Sequence, residues 1–156
     1  GMRASLAYGY NVDVNLIQLA SAYATIANNG IKNNISLERI DEEVIGDRVF
    51  SPETSATLLL MLEQVVERSA VRAKVKGYRV GGKTGTAQIA ASNYTQDAHN
   101  AIFVGVAPIS NPKIAVAVIV NEPQGNEYYG GQVAAPIFST IVSRTLRLIG
   151  ATPDKL

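Results

Sequence analysis

Two segments of the chain repeat apolar residues at the spacing of an amphipathic helix. In the first, the apolar positions are Leu16, Leu19, Ala20, Tyr23, Ile26 and Ala27. Asn15 precedes them as an N-cap candidate, and the tripeptide Asn28-Asn29-Gly30 follows them as a stop signal. The pattern therefore predicts a helix between these two signals.

The second helix is predicted from Ser51 to about Glu67. Ser51 can cap it, Pro52 is tolerated in the first turn, and Glu53 lies near the positive end of the helix dipole. The run LLLML at residues 58–62 is apolar on nearly all sides, which predicts a helix that is sandwiched between other elements. Between the two helices, residues 31–50 predict a loop that can contain a small hairpin.

After Gly77 the pattern changes to the period of strands. We predict strands over Tyr78–Gln88, Asn100–Ala107 and Lys113–Asn121. The second and third are joined by the turn-forming residues PISNP, which predicts an antiparallel hairpin. In the sequence IAVAVIV of the third strand both alternating faces are apolar, so helices should cover both of its faces.

The last helix is predicted over about Gln132–Ile149, with Gly150 ending it. Its predicted inner face consists of Val133, Ile137, Phe138, Ile141, Val142, Thr145, Leu148 and Ile149. The order helix, helix, three strands, helix predicts an α/β fold of the α+β type, in which helices flank an antiparallel sheet. A chain of 156 residues with 47% hydrophobic residues is large enough for one domain, which we predict over residues 1–156.

Composition narrows the possible partners. Fourteen basic against thirteen acidic residues give a net charge of +1, which predicts no binding to nucleic acid or to an anionic membrane. The chain has no cysteine and one histidine, so neither disulfides nor a metal site is predicted, and no cofactor. We find neither a signal peptide pattern nor an apolar run long enough for a membrane span. Gly1-Met2 indicates a tag remnant on a piece of a longer protein, or alternatively a natural start.

The segment GGKTGTAQ at residues 81–88 places one lysine and two threonines among three glycines. Its glycines remove side chains that would hold a ligand away from the backbone of a strand. An edge strand can bind an extended peptide as an additional strand, while Lys83, Thr84 and Thr86 offer a charge and two hydroxyls to a carboxylate. The segment therefore predicts a site for the carboxyl end of a peptide. The alternative is a turn that happens to contain a lysine.

Five segments, in a fixed order, resemble the transpeptidase domain of class B penicillin-binding proteins, most closely those of cell division in proteobacteria. They are residues 8–30, 77–88, 102–123, 128–138 and 146–156. The resemblance covers essentially the whole chain. It implies a five-stranded antiparallel sheet between helical layers, of which this chain would hold about three strands.

The resemblance also implies a serine acyl transferase with the motifs Ser-x-x-Lys, Ser-x-Asn and Lys-[Thr/Ser]-Gly. In the family, the first serine attacks the penultimate D-Ala carbonyl of a peptidoglycan stem peptide ending in D-Ala-D-Ala. An amine of a second stem then takes the acyl group, and β-lactams acylate the same serine.

By matching position, residues 83–86 would bind the substrate. Lys83 would polarise the Ser-x-Asn serine and attract the carboxylate, which Thr84 and Thr86 would bind on either side of Gly85. The backbone N–H of Thr86 would be one of two oxyanion-hole donors.

The nucleophile is predicted to lie outside this chain. Its one Ser-x-x-Lys, Ser110 to Lys113, falls in the predicted turn, whereas the chemistry needs the serine at a helix N-terminus. No Ser-x-Asn occurs. The chain is therefore expected to be the C-terminal portion of the domain, inactive alone, with the missing N-terminal half as its partner. The open edge of the strand Lys113–Asn121 is expected to pair with another copy or with that half.

Two interpretations are open for the tyrosines at 128 and 129 and for His99. In relatives, aromatic residues at the position of Tyr128 and Tyr129 form a wall of the substrate cleft, and the alternative is a packed loop tip. His99 either lines the same cleft from the preceding loop or is a solvated loop residue; the second is expected, and His99 receives no catalytic role. Residues 69–71, SAV, depart from a Gly-Thr-Gly stretch that relatives often carry.

Three functions stay open at this point. The chain would be part of a D,D-transpeptidase, a non-catalytic peptide-binding or scaffold half-domain, or part of a D,D-carboxypeptidase, which uses water as acceptor. For the parent protein, the resemblance implies a role in cell division or cell shape and contacts with division-complex proteins. It also implies a place at the inner membrane, with this domain in the periplasm.

Overall fold

The computed structural model describes residues 13–41, 46–88 and 98–155. Their elements are α1 (Leu16–Ala27), β1 (Ile31–Lys32), β2 (Asp47–Arg48), α2 (Pro52–Arg68), a 3-10 turn (Val71–Ala73), β3 (Gly81–Gln88), β4 (His99–Ala107), β5 (Ile114–Asn121) and α3 (Gly130–Leu148). The interpretation of Gly1-Met2 and the first residues of the segment 8–30 lie outside the described residues.

The strands form two antiparallel sheets. β1 and β2 pair in a small hairpin, and the larger sheet has the order β3-β4-β5. Helices flank this larger sheet, which confirms the predicted fold class. Within the described residues, the outer edges of β3 and β5 pair with no further strand. Self-association through β5 stays a prediction.

Local sequence sets the starts of α1 and α2 as predicted. Asn15 and Gln18 form a capping box, in which each side chain accepts the backbone N–H of the other at 2.9 Å. The Ser51 hydroxyl accepts the N–H of Thr54 at 3.2 Å, with Pro52 at the first helical position. Both predicted N-caps are therefore confirmed.

The two faces of the larger sheet contact different helices. On one face, Val106 packs with residues of α1 and α2. On the other, Phe103 meets Phe138 of α3 with ring centroids 4.7 Å apart, and both rings are fully buried. β5 contacts α1 through one face and α3 through the other, so the prediction that both its faces are covered is confirmed.

The prediction that α2 is sandwiched is wrong. Leu60 and Met61 are 54% and 59% exposed, and only Leu59 of the apolar run is buried. The helix packs on β3 and α1 through a single face, which carries Ser55, Leu59, Glu63 and Val66. In the described part of the chain no second layer covers its outer side.

The predicted inner face of α3 is partly wrong. Phe138 and Val142 are buried, but the large apolar residues Ile137, Ile141, Leu148 and Ile149 are exposed. The buried positions of the helix are Gly130, Ala134, Ala135, Phe138, Val142 and Leu146. Three of these six are small, Gly130, Ala134 and Ala135, and they let the helix approach the sheet closely, which places Phe138 against Phe103. The spacing of apolar residues therefore predicted only part of the buried face correctly.

β3 begins later than predicted, at Gly81 instead of Tyr78, because Tyr78 closes a turn with Val75. The chain before the strand is tied to the C-terminal segment. The Asp154 carboxylate accepts the N–H of Arg79 at 2.7 Å and that of Ser110 at 3.1 Å. No helix of the described residues is both long and apolar enough to cross a bilayer.

Stability should depend on pH through Asp154. Burial alone would raise the pKa of this carboxyl, but the hydrogen bonds from Arg79 and Ser110 outweigh burial and lower it. Such a group stabilises the fold above its unfolded pKa, about 3.9, and this contribution is lost as the pH falls through the folded pKa. We expect Asp154→Asn to lower the free energy of unfolding by about 1 kcal/mol at neutral pH. In the variant, the free energy of unfolding should also decrease less as the pH is lowered into the acid range.

Urea unfolding of both forms from neutral pH into acid measures this dependence. Asp47→Asn, on the exposed strand β2, is the control and should change neither value. An Asp154→Asn variant with the stability and acid profile of the parent chain would contradict the role of this carboxylate.

Candidate functional site

The Lys-Thr-Gly motif lies on β3, at one edge of the larger sheet. In the described residues β3 pairs only with β4. Lys83 and Thr86 are exposed, and Thr84 and Gly85 are half-buried. These four residues lie neither in the core nor in a helix, so the backbone and side chains from 83 to 86 are accessible to a ligand.

Lys83 and the two threonines lie on opposite faces of β3, because side chains alternate along a strand. A Cβ on Gly81 would contact Leu62 of α2, which places Lys83, two residues further on, at the same face. Thr86 lies at the α3 face, where its Oγ1 accepts the N–H of Gly130 at 3.2 Å. The cation and the hydroxyls therefore approach the edge of the sheet from two sides.

The Lys83 ammonium and the Thr86 hydroxyl both keep hydrogen-bond donors that a ligand could use. Lys83 Nζ donates to the carbonyl of Thr84 at 3.0 Å and keeps two further N–H groups. The Thr86 hydroxyl accepts from Gly130, so its own hydrogen can point to another acceptor. A carboxylate is an acceptor that fits both donors.

The glycines around this edge do not have the same role. A Cβ on Gly82 would lie 2.6 Å from the Phe103 ring, so the fold itself excludes a side chain there. A Cβ on Gly85 would meet only Ile102, at 3.5 Å, which is an ordinary contact. The fold therefore does not require glycine at position 85, although it does at position 82.

A cavity of about 420 Å³ adjoins the threonines on the α3 side. Its walls include Thr84, Thr86, Arg72, Tyr129 and Gly131. A second cavity, of about 350 Å³, lies between the β4–β5 turn and the C-terminal segment and contains no residue of the motif. The first cavity is therefore the one that a ligand on β3 would reach.

Of the two predicted wall residues, Tyr129 borders the cavity and Tyr128 packs beside it. Tyr129 lines the cavity and is 52% exposed, and the Tyr128 hydroxyl donates to that of Tyr129 at 3.0 Å. The ring of His99 stacks on Tyr128 with centroids 4.6 Å apart. His99 is the first residue of β4, so the expectation of a solvated loop residue is wrong. No sequence pattern links it to Tyr128.

An ion pair that was not predicted from the sequence also lies at the cavity. Arg72 binds Glu127 in a bidentate manner, with Nη1–Oε2 and Nη2–Oε1 distances of 2.8 and 3.0 Å. The hydrogen bonds from Arg72 lower the pKa of the Glu127 carboxyl, so the pair is ionised at neutral pH. Arg72 Nη1 also donates to the carbonyl of Gln132 at 3.1 Å, in the first turn of α3. Arg72 thus joins the 3-10 turn to the segment that carries the tyrosines.

A second bidentate pair lies where the chain enters β3. Arg79 Nε and Nη2 donate to the two carboxylate oxygens of Glu63 at 2.7 and 2.6 Å. Glu63 is 9% exposed, and its hydrogen bonds raise the pKa of Arg79. This pair fastens α2 to the residues that precede the Lys-Thr-Gly motif, and sequence analysis did not anticipate it.

Ser110 and Lys113 lie in the bend between β4 and β5 and share no helical turn. The structure therefore does not give this Ser-x-x-Lys match the geometry of a nucleophile and its base. In residues 13–41, 46–88 and 98–155, no cluster of three or more His, Asp or Glu residues could hold a metal ion.

Comparisons with known proteins show the family of the chain. The penicillin binding protein transpeptidase domain model matches residues 2–143. The chain is 40% identical to peptidoglycan D,D-transpeptidase FtsI of Escherichia coli, over 99% of this chain and 27% of that protein. It is 38% identical to a probable peptidoglycan D,D-transpeptidase, PbpC, of Pseudomonas aeruginosa, over 98% of this chain and 28% of that one.

Solved structures give the same result for the fold. The transpeptidase domain of penicillin-binding protein 3 from Burkholderia pseudomallei superposes with a TM-score of 0.89 at 43% identity. The match covers 99% of this chain and 48% of that one, so the chain spans about half of the solved domain. The predicted resemblance and the partial transpeptidase fold are therefore confirmed.

Proposed function

The chain belongs to the penicillin-binding protein transpeptidase domain family, and from this premise we propose that it supplies the substrate-binding strand of a peptidoglycan D,D-transpeptidase. The observation that carries the proposal is the accessible edge of β3, with Lys83 at one face and Thr86 at the other. Its ligand is the carboxyl end of a stem peptide that ends in D-Ala-D-Ala. A β-lactam would present its carboxylate to the same edge.

The proposed role of each residue follows from its chemistry. Lys83 attracts the carboxylate through its charge, and the hydroxyls of Thr84 and Thr86 donate to it. Gly85 lets the peptide backbone lie close to the strand. Because the fold itself would tolerate a side chain at this position, the close approach of a ligand is a reason for glycine there. Tyr128 and Tyr129 form a wall of the cleft.

The nucleophilic serine is proposed to come from residues outside this chain. Its attack on the penultimate D-Ala carbonyl would place negative charge on the carbonyl oxygen, where the backbone N–H of Thr86 is one donor. The terminal D-Ala then leaves as an amine, and an amine of a second stem displaces the serine from the acyl group. Isolated residues 1–156 would bind substrate without reacting. The whole protein would act in cell division, from the inner membrane into the periplasm.

Titration of the isotope-labelled chain with N-acetyl-D-Ala-D-Ala, followed by NMR, tests the binding role. We expect the amide signals of residues 84–86 to move. Lys83→Met should weaken binding about tenfold, because it removes the charge that attracts the carboxylate. Gly85→Ala should weaken binding while the free energy of unfolding stays within about 0.5 kcal/mol, because the added methyl meets the ligand and not the fold.

The C-terminal amide of the same dipeptide is the matched control and should bind more weakly, because it lacks the carboxylate. Equal binding of acid and amide, or signals that move elsewhere in the chain, would contradict the proposed site.

A chimera tests the catalytic half of the proposal. In the chimera, residues 1–156 replace the matching half of the Burkholderia pseudomallei penicillin-binding protein 3 transpeptidase domain. The chimera and the isolated chain are each incubated with a fluorescent penicillin. We expect the chimera to be labelled, its Lys83→Met variant to be labelled more slowly, and the isolated chain to stay unlabelled. Labelling of the isolated chain would show that it contains a nucleophile and would overturn this assignment. Release of product to water instead of to an amine acceptor would indicate a D,D-carboxypeptidase.

A further inference from the structure

We propose that the Arg72–Glu127 ion pair is a clamp that positions the tyrosine wall and the start of α3 against the substrate-binding strand. The inference rests on the function proposed above, because it concerns the cleft beside residues 84–86. In this proposal Arg72 and Glu127 are positioning residues. By holding the cleft wall in place, they contribute to the affinity for the part of the ligand next to the ligand's carboxylate.

The hydrogen bonds of Arg72 hold two points of the segment that contains the tyrosines. Its guanidinium makes two bonds to the carboxylate of Glu127 and a third to the carbonyl of Gln132. These two acceptors lie on either side of Tyr128, Tyr129 and the first residues of α3. One side chain, held on the 3-10 turn, thus fixes both ends of a six-residue segment.

The position of this segment matters because it touches the binding strand directly. Gly130, near its middle, donates its N–H to the Thr86 hydroxyl. Tyr129 and Gly131 line the same cavity as Thr84 and Thr86. A shift of the segment would therefore move the cleft wall and change the orientation of a hydroxyl proposed to bind the carboxylate.

The charges of the pair indicate whether Arg72 acts as a clamp or binds the carboxylate of the substrate directly. Arg72 also lines the cavity, so its guanidinium could in principle bind an anion itself. Glu127 neutralises it, however, with a carboxylate whose pKa is lowered by the same hydrogen bonds. Both side chains are nearly half exposed, at 48% and 46%. The pair therefore acts through geometry, as planar bidentate pairs do.

The two models predict opposite effects at Glu127. If Arg72 is a clamp, Arg72→Gln weakens binding of N-acetyl-D-Ala-D-Ala by about fivefold. Glu127→Gln also weakens it, but no more than Arg72→Gln, because the bond from Arg72 to Gln132 stays. The double variant is no weaker than Arg72→Gln. If Arg72 is itself the ligand for the carboxylate, Glu127→Gln frees its charge and strengthens binding. Tighter binding by Glu127→Gln would overturn the clamp.

Arg72→Lys separates geometry from charge. Lysine keeps the positive charge but lacks the planar fork of the guanidinium. It therefore cannot form the bidentate pair with Glu127 together with the bond to Gln132. We expect its affinity to lie between those of the parent chain and Arg72→Gln. Full affinity in Arg72→Lys would show that charge alone suffices and would contradict the clamp. The thermal midpoint of unfolding should be nearly the same in all these variants, because the pair is exposed.

A measurement without ligand separates failure of the clamp from failure of the proposed function. Backbone relaxation of residues 127–132 in the free chain should show equal gains in mobility for Arg72→Gln and the double variant, and a gain in Glu127→Gln that is no larger. Unchanged mobility overturns the clamp whether or not the dipeptide binds. Increased mobility in a chain that binds no dipeptide supports the clamp and counts against the proposed function alone.

Discussion

Replacing Gly130 with alanine is expected to destabilise the chain by about 3 kcal/mol and to abolish binding of the D-Ala-D-Ala probe. A Cβ at this position would clash with the carbonyl oxygens of Ile102 and Gly85, the latter at 2.5 Å. Both atoms belong to the backbone of paired strands and cannot rotate aside. The first turn of α3 would have to leave β3, and the hydrogen bond to the Thr86 hydroxyl would break with it.

Gly131→Ala is the matched control, one residue further along the same helix. Its Cβ would approach only the methyl group of Thr84, at 3.3 Å, which a small side-chain movement relieves. Since alanine is favoured over glycine inside a helix, its stability should stay within about 0.5 kcal/mol of the parent chain. Urea unfolding of the two variants measures the difference. Equal stabilities would contradict the close approach of α3 to β3.

The second large effect is expected at Glu63, where Glu63→Gln should lower the free energy of unfolding by about 2 kcal/mol. The amide keeps the shape of the carboxylate but presents donors to a guanidinium that already donates, so Arg79 loses one of its two acceptors. Glu63 is largely buried, whereas the Arg79 side chain is 34% exposed. Water can therefore reach the unpaired charge, and the loss should be smaller than the roughly 3–5 kcal/mol of a fully buried pair.

A double-mutant cycle of Glu63→Gln and Arg79→Met isolates the pair from other effects. If the two groups act through each other, the double variant should cost little more than the worse single variant. Arg39 and Asp41 provide a control, because they form an ion pair at 2.7 Å with side chains that are 89% and 76% exposed. Asp41→Asn should have almost no effect. Additive losses at Glu63 and Arg79 would contradict the coupling.

These predictions share one physical cause, which is that contacts from other elements fix the position of β3, the proposed binding strand. The Glu63–Arg79 pair fastens its entrance to α2, and the Asp154 carboxylate fastens the same entrance to the C-terminal segment. Gly130 brings the start of α3 against its middle. A site at the edge of a sheet needs such supports, because an edge strand lacks the hydrogen bonds of a neighbour on one side.

The sequence alone determined the features that depend on neighbouring residues. The caps at Asn15 and Ser51 were predictable because a side chain and the N–H it binds are three residues apart. The hairpin of β4 and β5 followed from its turn residues and from the apolar period of two. The Lys-Thr-Gly strand was predicted from the strand pattern that begins after Gly77. The glycines at 81 and 82, in contrast, are required by packing against Leu62 and Phe103, and only Gly85 keeps the predicted role of admitting a ligand.

Only the tertiary structure decided which distant residues meet. Arg72 and Glu127, Glu63 and Arg79, and His99 and Tyr128 have no periodic relation along the chain, so no pattern of polar and apolar positions could pair them. The buried face of α3 was partly mispredicted for the same reason: Ala134 and Ala135 face inward and allow the close approach that packs Phe138 on Phe103, while Ile137 and Ile141 stay exposed. Packing geometry, not hydrophobicity, selects which face of a helix is buried when both faces carry apolar side chains.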